Sequence, residues 1–196
     1  MDKKRIYNLV ITSVLAALVV VLQIFASGLH IGAVTFSFVL VPIVLGSIIV
    51  GPYCGLFLGE IFGLITLFAG ITGADPFTNV LWNNAPLRTA IICIVKAGAA
   101  GFVPGLIYQM IMKGKNRSLI ASLLASASAP VLNTGLFVLI SMSLSDVLQK
   151  NFAPEGVSTF YFLVILCAGI NFIVEFATTI IITPTIFLAY KKAFKR

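Results

Sequence analysis

The sequence predicts an all-α integral membrane protein, a bundle of six transmembrane helices with both the N and C termini cytoplasmic. Of the 196 residues, 60% are hydrophobic and 10% are charged, and the mean hydropathy is +1.11. Soluble domains average about 45–50% apolar and about 25% charged residues. The apolar residues also form six runs, each near or above the roughly 20 residues that cross a bilayer. We therefore expect a single six-helix membrane domain over residues 1–196.

The six predicted helices follow the apolar runs at residues 6–27, 31–50, 53–71, 89–112, 118–144 and 159–190. The first run is too long for the apolar part of a typical signal peptide, so it is interpreted as a mature helix. Segment 72–88 holds two prolines, three asparagines and Trp82, which predicts a structured loop with a short interfacial helix. Segment 145–158 is predicted to be a polar loop. The last run is longer than a membrane requires, so a kink is expected at Pro184.

Basic residues give the predicted orientation. Ten of the 13 lysine and arginine residues lie before helix 1, between helices 4 and 5, or after helix 6. In a six-helix chain these three segments share one side, and basic segments are typical of the cytoplasmic side. The loops 72–88 and 145–158 would then face outward. On a chain this apolar, the net charge of +7 indicates membrane topology and contact with the lipid bilayer, and no nucleic acid partner is expected.

Small residues recur at intervals of four and predict close helix packing. Helix 3 carries Gly51, Gly55, Gly59 and Gly63, which would form one smooth stripe. We interpret this stripe mainly as internal packing, with docking of another membrane protein as the alternative. On helix 1, a second candidate surface for a partner protein consists of Ser13, Ala16 and Ala17.

Three ionisable side chains fall inside the apolar runs: Glu60, Lys96 and Glu175. Buried charges in a membrane are costly and point to a functional site. Glu175 belongs to a polar stripe of period four on helix 6, which begins at Asn171 and continues through Thr179 and Thr183. Glu60 lies in the half of helix 3 nearer the cytoplasm, so it is left outside the predicted site.

Depth along the helices brings Lys96, Asn133 and Asn171 together in the outer half of the bundle, with Glu175 near its centre. One interpretation is a site for a small solute, open to the outside and covered by the loop residues Asn83, Asn84 and Arg88. The other is an ion pair between Lys96 and Glu175 that only satisfies two buried charges. Both interpretations stay open on the sequence.

The sequence lacks the patterns of several common catalytic sites. It has no GxxxxGK[ST] loop for ATP, no HExxH and no GxSxG, and His30 is its only histidine. No cofactor and no metal site are therefore expected, and the chain is predicted not to be an enzyme. Transport or capture of a solute is the better class.

The whole chain resembles the substrate-binding S components of energy-coupling factor (ECF) vitamin transporters. Helix 1, LVITSVLAALVVVLQ, resembles the family's first helix, in which an AxxxA motif docks the membrane coupling subunit, and Ser13 and Ala17 stand at those small positions. The segments GSIIVGPYCGLFLGEIFGL, VLNTGLFVL and GINFIVEFATTIIITP are most similar to the pantothenate-type branch. That branch implies Lys96 and Asn133 as ligand contacts, although arginine is more usual at the position of Lys96.

The resemblance implies a protein of the prokaryotic cell membrane that captures a vitamin at high affinity. Its partners would be a membrane coupling subunit and two ATPase subunits, which drive release. Its ligand would be a small anionic vitamin such as pantothenate. Two alternatives stay open: a proton-coupled secondary transporter of a small solute, with Glu175 and Lys96 as a relay, and a non-transporting membrane adaptor.

Overall fold

The structure is a computed structural model that describes residues 3–26, 30–31, 34–35, 38–113 and 118–193. Within these ranges the elements are α1 (Lys3–Ala26), β1 (His30–Ile31), β2 (Val34–Thr35), α2 (Leu40–Ile49), α3 (Pro52–Thr72), α4 (Pro76–Asn84), α5 (Pro86–Met112), α6 (Ser118–Ser141), a 3-10 turn (Met142–Leu144), α7 (Ser145–Asn151), α8 (Thr159–Tyr161), a π-helical segment (Phe162–Cys167) and α9 (Gly169–Ala193). The protein is thus almost entirely helical, as predicted.

Five helical segments are long and apolar enough to cross a membrane: Lys3–Phe25, Pro52–Thr72, Pro86–Met112, Ser118–Asn151 and Gly169–Ala193. The second predicted span, residues 31–50, differs from the expectation. Its described part contains the two-residue strands β1 and β2, which pair antiparallel, followed by the ten-residue helix α2. A helix of that length rises about 15 Å, half of a hydrocarbon core of roughly 30 Å. Residues 40–48 of α2 are all buried, so this helix is a core element.

The end of the chain also differs in detail from its prediction. The predicted sixth helix, residues 159–190, is interrupted at residues 162–168, where a π-helical segment and a bend precede α9. The bend is at Ala168, and the α-helix resumes at Gly169. The helix continues through Pro184, the expected kink position. The predicted short helix around Trp82 is present as α4, and part of the predicted loop 145–158 is the helix α7.

The glycine stripe of helix 3 packs internally. Gly55, Gly59 and Gly63 face Gly101, Ala97 and Cys93 on α5, in an order that makes the two helices antiparallel. A Cβ atom at Gly63 would lie 2.7 Å from the Cys93 carbonyl oxygen, and one at Gly55 or Gly59 would overlap an α5 carbonyl oxygen directly. We call this contact the α3–α5 seam. Gly51, by contrast, forms the turn between α2 and α3 with φ 141°, a value that only glycine adopts readily.

The ends of the bundle differ in charge. The hydroxyl groups of Tyr7 and Tyr190 are 2.5 Å apart, and the rings of Tyr108 and Phe187 are 5.3 Å apart, so the start of α1 and the ends of α5 and α9 lie together. The described basic residues at this end are Lys3, Lys4, Arg5, Lys113, Lys191 and Lys192. The loop acids Asp75, Asp146 and Glu155 lie at the other end. The basic end is the one predicted to be cytoplasmic, and that assignment stays a prediction.

Candidate ligand-binding site

Lys96 lies on α5 and points between two phenyl rings. Its ammonium nitrogen is 5.7 Å from the ring centre of Phe62 on α3 and 5.3 Å from that of Phe137 on α6. The side chain is half-buried. A ring face attracts the charge, by about 2 kcal/mol or more when desolvated, but offers no lone pair for an N–H donor. The three donors of the ammonium group are therefore available to a ligand anion.

Glu175 lies on α9 and is 3% exposed. The side-chain amide of Asn133 on α6 donates to its Oε2 atom at 3.4 Å. The Asn171 side chain, one turn earlier on α9, also interacts with this carboxylate. Of the polar stripe read from the sequence, Glu175, Thr179 and Thr183 are buried and Asn171 is half-buried.

Two amide oxygens beside Glu175 lack donors. The Oδ1 atoms of Asn133 and Asn171 are buried, and neither accepts a hydrogen bond from the residues that the structure describes. A buried acceptor left unpaired costs about 1–3 kcal/mol. Most buried polar groups in proteins are paired, so unpaired groups require an explanation. A ligand with hydroxyl or amide donors would satisfy both oxygens.

The alternative of a Lys96–Glu175 ion pair is not formed directly in the described part of the chain. Lys96 contacts the rings of Phe62 and Phe137, while Glu175 is held by an amide. The two charges are close enough to interact electrostatically. The site therefore has a cation and a carboxylate, each with unused hydrogen-bonding capacity.

The loop residues of the predicted site make hydrogen bonds to neighbouring residues of their own end of the bundle. Asn83, Asn84 and Arg88 are exposed, and each donates to a neighbouring oxygen at 2.8–3.1 Å, respectively on Asn79, Val80 and Ser143. Asn84 and Arg88 line a groove of about 400 Å³ between α4, α5 and α7, at the end of the bundle opposite to the basic end. Arg88 precedes Lys96 by eight residues, a rise of about 12 Å. Their predicted role as a cover over the site stays a prediction.

Sequence reasoning missed the aromatic partners of Lys96. Phe62 and Phe137 are two of 16 phenylalanines, and no pattern separates a phenylalanine beside a cation from one that faces lipid. It also missed Asp75, which begins α4 by accepting from the Phe77 amide at 3.2 Å and the Thr78 hydroxyl at 2.6 Å. The dipeptide Asp75-Pro76 is the signal that could have revealed this cap.

The predicted partner surface on α1 divides into two faces. Ser13 and Ala17 are exposed, whereas Ala16 is half-buried and packs against the core. This helix is the least covered of the five spans, with 11% of its most apolar stretch buried against 28–50% in the others. Ser13 and Ala17 are thus available to another protein, and Ala16 holds α1 to the bundle. Glu60, which was left outside the site, lies half-buried on α3 with its carboxylate against Gly98 of α5.

Comparison with known proteins gives the family. Residues 7–187 match the family described as ECF transporter, substrate-specific component. No curated protein matches the chain. The matched range includes all five candidate spans in whole or in large part, together with Lys96, Asn133, Asn171 and Glu175. Members of this family are transporter subunits, not enzymes, and the family implies a substrate and an ECF module with membrane and ATPase subunits. The chain belongs to the substrate-specific components of ECF transporters.

Proposed function

We propose that this chain captures a small, singly anionic vitamin such as pantothenate, at high affinity, from the outer side of the prokaryotic plasma membrane. A membrane coupling subunit and two ATPase subunits would then drive release of the ligand from this chain. The observation that carries the proposal is the Lys96 ammonium group, unpaired among the described residues, beside two buried amide oxygens without donors there. A cation together with unsatisfied acceptors suits a carboxylate ligand that also has hydroxyl or amide donors.

Each ligand group has a counterpart in this arrangement. Lys96 binds the carboxylate as a point charge, because a lysine ammonium lacks the bidentate geometry of arginine. Asn133 and Asn171 accept from hydroxyl or amide groups, and the Glu175 carboxylate accepts from a further hydroxyl. Phe62 and Phe137 keep Lys96 extended into the bundle before the ligand arrives.

Binding and uptake together test this function. The purified chain should bind pantothenate in a calorimetric titration, and the mass of any copurifying small molecule should be that of the vitamin. Vesicles that contain the chain alone should accumulate none, with or without a proton gradient. Vesicles that also contain the coupling and ATPase subunits should accumulate it when supplied with ATP.

Each alternative predicts a different result. Accumulation by the chain alone under a proton gradient would identify a secondary transporter. The absence of any small-molecule ligand, from pantothenate through other anionic vitamins, would favour an adaptor.

A further inference from the structure

A second groove opens at the basic end of the bundle, remote from Lys96. It has a volume of about 380 Å³ and is lined by Lys4, Arg5, Asn8, Leu9, Thr12 and Val50. Five of these residues belong to α1, and Val50 belongs to the turn between α2 and α3. We call it the α1 groove.

The polar part of the α1 groove is rich in donors. Lys4 and Arg5 are exposed cations. Within the described residues, the Arg5 guanidinium and the Asn8 side-chain amide make no hydrogen bond. The Thr12 hydroxyl donates to the Asn8 carbonyl oxygen at 2.8 Å and lies 3.3 Å from the Cys54 sulfur, so it is already partnered. The unused donors of Arg5 and Asn8 suit an anion with several oxygens.

The charge around the α1 groove is also one-sided. Tyr190 contacts Tyr7, so the cations Lys191 and Lys192 at the end of α9 lie at the same end of the bundle. Among the described residues, the loop carboxylates lie at the opposite end, and Glu60 and Glu175 lie inside the spans. An anion at the α1 groove therefore meets attraction from this end of the bundle without a described carboxylate beside it.

The groove changes character with depth. Lys4 and Thr12 are eight residues apart, a distance of about 12 Å along the helix. Leu9, which is 52% exposed, and the half-buried Val50 form an apolar wall below the cations. A cationic rim above an apolar wall at a membrane surface matches the two parts of a phospholipid, its phosphate and its acyl chains. We propose that the α1 groove binds the headgroup phosphate of an anionic phospholipid, with the start of an acyl chain along Leu9 and Val50.

Native mass spectrometry of the full chain in detergent tests this proposal. The probes are phosphatidylglycerol and phosphatidylcholine with identical acyl chains. We expect a preference for phosphatidylglycerol, and we expect Arg5→Gln to weaken that binding about fivefold, the effect of one cation near an anionic lipid. Lys113→Gln is the matched control, because it removes the same charge at the same end but outside the groove. It should leave the binding of phosphatidylglycerol close to the wild-type level.

Three results would overturn the proposal. Equal binding of the two lipids would show that the headgroup charge is not recognised. Equal losses of phosphatidylglycerol binding in Arg5→Gln and Lys113→Gln would show that the lipid responds to the general positive charge of this end and not to the groove. Displacement of phosphatidylglycerol by inorganic phosphate at equal concentration would indicate a site for free phosphate. If the Arg5→Gln variant does not fold, Arg5→Lys is used in its place. Arg5→Lys keeps the charge and should retain most of the lipid binding. A fivefold loss in Arg5→Lys would count against a charge contact. Loss of assembly with the ECF module, without any lipid preference in the isolated chain, would assign the groove to a protein partner.

Discussion

Replacing Lys96 with methionine isolates the contribution of its charge to ligand binding. Methionine keeps an unbranched apolar side chain between Phe62 and Phe137, so the packing of α5 against α3 and α6 is largely retained. The substitution removes the ammonium group, which makes no ion pair among the described residues and which we propose binds the ligand carboxylate. A charge-assisted hydrogen bond contributes roughly 1.5–3 kcal/mol. Its loss should weaken the binding of pantothenate about ten- to a hundredfold or more.

The assay is a calorimetric titration of two ligands against two proteins. Besides pantothenate, it uses the alcohol analogue in which the carboxylate is replaced by a hydroxymethyl group. Lys96→Met should weaken binding of the analogue much less, because the analogue has no charge to lose. Lys150→Met serves as the matched control, since Lys150 is an exposed cation of α7 at the end of the bundle where we propose that the ligand enters. If Lys96→Met loses the same affinity for both ligands, the reasoning is refuted and Lys96 is a structural residue. If Lys96→Met and Lys150→Met lose the same affinity for pantothenate, the effect is long-range electrostatic attraction and not a contact with Lys96.

Three further predictions concern packing, docking and the amide acceptors. Gly59→Leu should destabilise the protein by about 1–3 kcal/mol or more, because the new side chain would overlap an α5 carbonyl. Gly135→Leu is the control and should melt near the wild-type temperature, because no atom lies within 4 Å of the position that a Cβ atom would take there. Ala17→Trp should abolish ATP-driven uptake by the assembled transporter and leave calorimetric binding by the isolated chain intact. Ala16→Trp should impair both through misfolding, and an equal effect of the two variants would contradict the outward face of Ala17. Asn133→Leu should weaken pantothenate binding about two- to tenfold, the contribution of one hydrogen bond between uncharged groups, and unchanged affinity would remove Asn133 from the site.

The parts of the fold that the sequence predicted rest on local periodicity. Gly55, Gly59 and Gly63 recur every four residues, so they share a helix face whatever that face contacts, and their contact with α5 is the packing that was expected. The inward stripe of Glu175, Thr179 and Thr183 follows from the same geometry. Residues 31–50 are apolar throughout their length, and apolarity alone does not distinguish a spanning helix from a short buried one such as α2.

The candidate site was predictable only in part, for a similar reason. Depth counted along helices predicted that Asn133 and Asn171 lie with Lys96, and that Glu175 lies nearer the centre of the bundle. The structure adds a contact that this count did not predict, the Asn133 side-chain amide donating to the Glu175 carboxylate. The partners of Lys96 depend on how α3 and α6 rotate about their axes, which no local pattern in the sequence determines. Whether an amide oxygen lacks a donor is likewise a property of the packed bundle, as at Asn171.

The α3–α5 seam has a consequence for motion during transport. Carbonyl oxygens of α5 lie where Cβ atoms at Gly55 and Gly59 would stand, so the two backbones are in close contact and we expect α3 and α5 to move as one rigid body. Ser47 extends this body to α2, since its hydroxyl donates to the Gly101 carbonyl oxygen at 2.7 Å. Lys96 and Phe62 both belong to this rigid body. The other site residues lie outside it, on α6 (Asn133 and Phe137) and on α9 (Glu175). Opening and closing around a ligand would then be a relative displacement of these two groups of helices, which separates Lys96 from Phe137 while its contact with Phe62 persists.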